Sequence, residues 1–136
     1  MKEMQHILTN RITNRSALGY WLALIAWMGL IFAFSHQPSL PNLPGSFIDL
    51  VFKKTAHFCA YGLLMILWYQ ALQTVRPATR SSLFLALALT VLYAASDEWH
   101  QTFIPNRSGQ LADVLVDTAG ALTVLLVILR RNRLAV

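Results

Sequence analysis

Residues Ser82–Arg107 read SLFLALALTVLYAASDEWHQTFIPNR, and they set two kinds of chemistry end to end. The first half is oily enough to sit inside a lipid bilayer. The second half crowds two carboxylates, a histidine, a glutamine and an arginine against its end. A helix that is apolar all round is buried in a large core or spans a membrane, so the question is why so much polar chemistry gathers where such a segment stops.

Composition narrows the answer. The chain has 136 residues, 56% of them hydrophobic and only 12% charged, which lies well outside the usual soluble balance. The apolar residues fall in long blocks, as a bilayer selects and a soluble fold avoids. Four blocks stand out, and with the turns that they borrow from their polar flanks they predict transmembrane helices over about 18–34, 54–73, 82–100 and 110–129. At about 1.5 Å per residue, a hydrocarbon layer of about 30 Å needs roughly 20 residues. We therefore expect an all-α, polytopic membrane protein, with four helices in one small bundle and a single domain over residues 1–136.

Local signals refine the ends. Pro44-Gly45 marks a turn, and Ser46 with Asp49 makes a capping box, predicting an early start to helix two with an amphipathic lead-in SFIDLVFKK. Helix three should begin near Ser81 or Ser82 and continue through Trp99 before Pro105 breaks it. The first block is too long for a signal-peptide core and lacks an A-x-A cleavage site, so we read it as a retained helix. Cys59 is the only cysteine. No internal disulfide is possible, and its plainest role is as a small packing residue.

The basic residues give an orientation. Lys2, Arg11, Arg15, Arg76, Arg80, Arg130, Arg131 and Arg133 fall on one side, and only Lys53, Lys54 and Arg107 on the other. The positive-inside rule then places both termini in the cytoplasm. Five of the six acids lie at the outer end, with only Glu3 inside. The net charge of +5 is thus mostly a topology signal, and we expect no nucleic-acid partner. Inner arginines can also contact anionic lipid headgroups.

Helical spacing then collects the polar groups. Lys54, His57 and Tyr61 stack on one face of helix two; Tyr93, Asp97 and Gln101 line up on helix three, as do Ser96 and His100, while Glu98 points elsewhere. Helix four presents Asp113 and Asp117 four residues apart, with Gly120 one turn on to allow close helix approach. A charge inside a spanning helix costs about 2.5–3.5 kcal/mol, so such groups face a polar cavity or one another. Three helices should therefore aim polar faces at one point near the outer surface.

Plain alternatives stand beside these readings. Asp49 and Glu98 fit as helix-end interface acids, Asp117 as half of an ion pair with Lys54 or Arg107, and His36 as a solvated loop residue. Tyr20, Trp21, Trp99 and Phe103 suit an interfacial aromatic belt.

Three motifs also carry a resemblance. FSHQPS at the end of helix one, then Lys54, His57, Phe58, Tyr61 and Leu64 in the pattern KxxHFxxYxxL, then SDEWHQTFIPNRSGQLADVLVDTAG together resemble the VanZ-like family of bacterial membrane proteins. The likeness runs from about Phe34 to Gly120. It implies a small multi-helix protein of the bacterial cytoplasmic membrane, in a cell-envelope family named for low-level antibiotic resistance to teicoplanin. It implies no mechanism.

Two functional classes follow from the residues. In the first, the cluster acts on an envelope lipid or lipid-linked wall precursor. Candidate catalytic residues are His57, Asp97, His100 and Asp117, with an imidazole as general acid or base and a carboxylate orienting it. Candidate substrate-binding residues are Lys54, Tyr61, Glu98, Gln101, Arg107 and Asp113, the two cations meeting a phosphate or carboxylate. In the second class the same groups bind a glycopeptide, a wall precursor or an envelope partner without chemistry. Transport ranks behind both, because no repeat or broken midplane helix is visible. Carboxylates and imidazoles that converge can hold a divalent metal, but no HExxH-type signature is present, so no cofactor is expected. Oligomeric state is not legible.

Overall fold

The computed structural model describes residues 2–38, 44–76 and 79–134, and side chains over 17–38, 47–76 and 79–131. Four helices run in order: α1 (Lys2–Ser35), α2 (Ser46–Gln73), α3 (Arg80–Gln101) and α4 (Leu111–Leu134). Each contains a stretch long and apolar enough to cross a membrane, beginning at Ala17, Phe47, Arg80 and Leu111 respectively. Mean hydropathy is 1.9 and 2.0 in α1 and α4 but only 1.3 and 1.2 in α2 and α3. The two middle spans carry most of the polar groups.

Helix α2 is the centre of the bundle. It packs against each of the other three helices, and α1 does not touch α4 among the described residues. Met65, Leu72, Leu83, Ala86, Ala121 and Leu125 form a core between α2, α3 and α4. Leu24, Tyr61, Leu64, Ala71 and Ala94 form a second one beside α1. Large apolar side chains such as Leu92, Leu115 and Leu126 point outward and stay exposed. In water that surface would be an aggregation liability; in a bilayer it is the lipid-facing side.

Three hydrogen bonds hold α1 to its neighbours. Trp21 Nε1 donates to Thr74 Oγ1 at 3.1 Å, Trp27 Nε1 to the Ala60 carbonyl at 3.0 Å, and the Tyr93 hydroxyl to the Met28 carbonyl at 2.7 Å. Trp21 therefore serves as a packing and bonding residue as well as an interfacial aromatic, whereas Trp99 and Phe103 remain openly exposed.

Several sequence expectations are corrected. The membrane-spanning stretch of α1, Ala17–Ser35, agrees with the expected 18–34, but the helix itself reaches back to Lys2; no glycine or proline occurs before Gly19 to stop it. Helix α2 does begin at Ser46, but Gly45, at φ 91°, holds the N-cap position and no side chain caps the helix. The Ser46 side chain, half of the expected capping box, lies outside the described side chains, and Asp49 pairs with Lys53 at 2.7 Å, one turn on. Helix α3 starts at Arg80 because Thr79 caps it, its side chain accepting the Ser82 amide. Cys59 is exposed rather than packed.

Candidate functional site

Helices α2 and α4 run in the same direction and touch through glycine. A Cβ on Gly120 would run into the Phe58 carbonyl, so only hydrogen fits there. The backbones come close, and the side chains one and two turns toward the helix starts need to reach only a short way.

That approach builds a ladder. Lys54 forms an ion pair with Asp113, and one turn deeper His57 Nδ1 lies 3.1 Å from Asp117 Oδ1. Three- and four-residue spacing on α2 meets four-residue spacing on α4. The outer rung is partly exposed at both ends, whereas Asp117 is 0% exposed and its Oδ2 has no hydrogen-bond partner. Tyr61 continues the α2 face; it is buried, its ring stacks on His57 at 6.4 Å, and its hydroxyl has no partner.

Helix α3 completes the cluster with two acids in succession. Asp97 and Glu98 are 5% and 4% exposed. Gln101, one turn on, donates through Nε2 to Asp97 Oδ2 at 3.2 Å and to Glu98 Oε1 at 3.4 Å. Glu98 had been expected to point away from this face. It does not: Glu98 is as deeply buried as Asp97 beside it, so two adjacent positions of α3 are covered by the bundle. Its Oε2 also accepts the Gln110 amide at 2.9 Å, so it meets one of the free amides at the start of α4. Gly109 makes this possible, since a Cβ there would collide with the Glu98 carbonyl.

His57, Glu98 and Asp117 each offer a donor atom, and the three atoms lie within 4.8 Å of one another. They come from three separate helices. No linear signature would carry such a set.

Beside this cluster, Asp97 also lines a cavity of about 220 Å³. Phe32 from α1, Tyr93, Ser96, Trp99 and His100 from α3, and Phe103 complete its walls. An acidic patch and an aromatic wall thus share one end of the bundle.

The VanZ/LLP1 family pattern matches residues 20–132. The chain belongs to the VanZ/LLP1 family. No curated protein and no solved structure matches it. Teicoplanin resistance is an association of the VanZ family as a whole.

In this VanZ/LLP1 chain the remaining site candidates lie outside the ladder. His100 Nε2 sits 3.2 Å from His36 Nδ1; the His36 ring stacks on Phe32, and the His100 ring lies tilted against it. His36 is exposed, as a solvated residue would be, but it has this definite neighbour. Arg107 meets no carboxylate among the described residues. Its guanidinium donates to the Phe34 and Gln37 carbonyls at 2.9 Å each and to Gln101 Oε1 at 3.3 Å. It therefore clamps the C-terminal end of α1, where carbonyls lack helical partners and a cation is favoured. Asn106, at φ 63°, turns the chain just before it, a conformation that asparagine tolerates better than most residues. The sequence places Lys54, Arg107 or a histidine opposite Asp117 and Asp97 across helices; Asp117 does meet a histidine, His57, whereas Asp97 is met by Gln101 of its own helix.

Proposed function

We propose that this protein is a cell-envelope membrane protein whose polar cluster acts on the headgroup of an envelope lipid or lipid-linked wall precursor. The basic residues support a bacterial cytoplasmic membrane with both termini in the cytoplasm and the cluster at the outer interface. An amphiphile then reaches the cluster without leaving the bilayer. Its tail lies along Phe32 and Phe103, and its headgroup enters the cavity toward Asp97.

The observation that carries this reading is the His57–Asp117 pair, its carboxylate fully buried and its imidazole partly so, set beside an aromatic-walled cavity at the same end of the bundle. A carboxylate that accepts a proton from Nδ1 fixes the imidazole ring and leaves its other nitrogen for proton transfer or for a ligand. His57 and Asp117 are the chemical centre, Asp97 and His100 face the headgroup, Gln101 holds Asp97 and Glu98 in place, and Tyr61 packs on the His57 ring. Lys54 and Asp113 form the outer rim.

The test is a mass-spectrometric comparison of envelope lipids and lipid-linked wall precursors in cells expressing wild type or Asp97→Asn at matched abundance. A species that accumulates only with the variant supports the reading and names the substrate. Identical profiles would overturn catalysis and leave recognition of a precursor, a glycopeptide or an envelope partner.

A further inference from the structure

We propose that His57, Glu98 and Asp117 bind a divalent cation of the zinc or manganese class. One imidazole nitrogen and two carboxylates, with donor atoms within 4.8 Å of one another, form an incomplete coordination shell of the type that such ions accept. The shell has three protein ligands, which leaves open positions.

Charge balance argues for a cation independently of the spacing. Asp97, Glu98 and Asp117 are all buried. Of the cations at this end, Lys54 is committed to Asp113 and Arg107 to backbone carbonyls and Gln101. Among the described residues no lysine or arginine forms an ion pair with Glu98 or Asp117, whose nearest cationic group is the His57 imidazole paired with Asp117. Buried carboxylates without a cation are costly, and a bound metal is the strongest local countercharge available.

Asp117 supplies the further observation. Its side chain is 0% exposed, yet Oδ2 has no hydrogen-bond partner within a cluster otherwise rich in donors. Fully buried carboxylate oxygens are normally satisfied. An ion accepts that lone pair directly. Glu98 already has the outer contacts that orient a metal-binding group, from the Gln110 amide and Gln101.

Ion binding stands on this cluster alone; its use rests on the amphiphile reading. A site so acidic repels a phosphate-bearing headgroup, and a divalent ion reverses that by bridging ligand carboxylates to phosphate oxygens.

The experiment uses the full chain in detergent with any affinity tag removed. The protein is treated with chelator, then titrated with Zn²⁺ or Mn²⁺, with Co²⁺ as an absorbing probe. Wild type should take up about one ion per chain, and Co²⁺ should show the intense visible bands of a low-coordinate nitrogen and oxygen site. Glu98→Gln, Asp117→Asn and His57→Gln should each weaken binding by at least about tenfold, with His36→Gln unchanged. Circular dichroism reports whether each variant keeps its helices. A wild type that binds no ion, or Co²⁺ spectra like those of the hydrated ion, overturns the proposal even if every variant misfolds. Equal binding by folded variants overturns it too, as an adventitious ion only. Lipid profiles play no part in this readout, so the metal site can fail while the amphiphile reading survives, and the reverse.

Discussion

His57 Nδ1 stands 3.1 Å from Asp117 Oδ1, and Lys54 and Asp113 repeat the same α2-to-α4 crossing one turn nearer the helix starts. The two rungs differ in surroundings. The outer one is partly open, and the inner one ends on a carboxylate without any exposure. A partly exposed pair contributes little to stability, whereas a buried carboxylate carries a desolvation cost that its partner offsets only in part.

The outer rung should therefore be weak. A double-mutant cycle with Lys54→Met and Asp113→Asn, read by thermal unfolding in detergent, should give a coupling of about 1 kcal/mol or less. A coupling several times larger would make this pair a principal fastener of the bundle.

Glycine at the α2–α4 contact should be far less replaceable at one position than at the other. Gly120→Ala drives a methyl into the Phe58 carbonyl and should cost about 1–3 kcal/mol by forcing the helices apart. Gly62→Ala meets its nearest neighbour, the Gly120 carbonyl, at 3.5 Å, an ordinary contact. It should be close to neutral, since alanine favours the helix. Unfolding midpoints of the two variants check the contrast, and equal costs would contradict it.

Arg107 distinguishes a clamp from an anion binder. Lysine keeps the charge but loses the planar fork that reaches Phe34, Gln37 and Gln101 together. Arg107→Lys should lower stability by about 1–2 kcal/mol, nearly as much as Arg107→Ala. A lysine variant as stable as wild type would return Arg107 to the role of a charge that waits for a headgroup.

Membrane orientation is open to a direct check. A fluorescent reporter at the C-terminus should fold and fluoresce, as it does in the cytoplasm, and a phosphatase reporter inserted after Asn106 should be active, as it is outside. The opposite pattern would move the acidic cluster to the inner face and remove the envelope reading.

The four spans were legible because apolar blocks and the bilayer thickness leave few other ways to arrange them. The polar cluster was legible for a similar reason: spacing of three and four on Lys54, His57, Tyr61, Asp113 and Asp117 puts each set on one face, and burial forces those faces together. Glu98 was not. Its neighbour Asp97 already claimed the inward direction, and helical spacing alone does not show that both positions are buried. Arg107 was read from its charge alone, whereas its partners are backbone carbonyls that no sequence spacing reveals. Gly62 and Gly109 were passed over because the sequence does not say which backbone a glycine will meet. The N-terminal extension of α1 was missed because bilayer length was the only ruler applied, and a helix can run past the lipid.

The central claim is that the buried acids are kept for function and not for the fold, and it is tested most directly by the unfolding midpoint of Asp117→Asn in chelator-treated protein. Asparagine keeps the shape and still offers His57 an oxygen, while removing a buried charge. The account predicts a variant at least as stable as wild type, as when a functional site is relieved of its cost to stability. A loss of about 3–5 kcal/mol, the penalty for breaking a buried ion pair, would contradict it and make His57–Asp117 a structural bond.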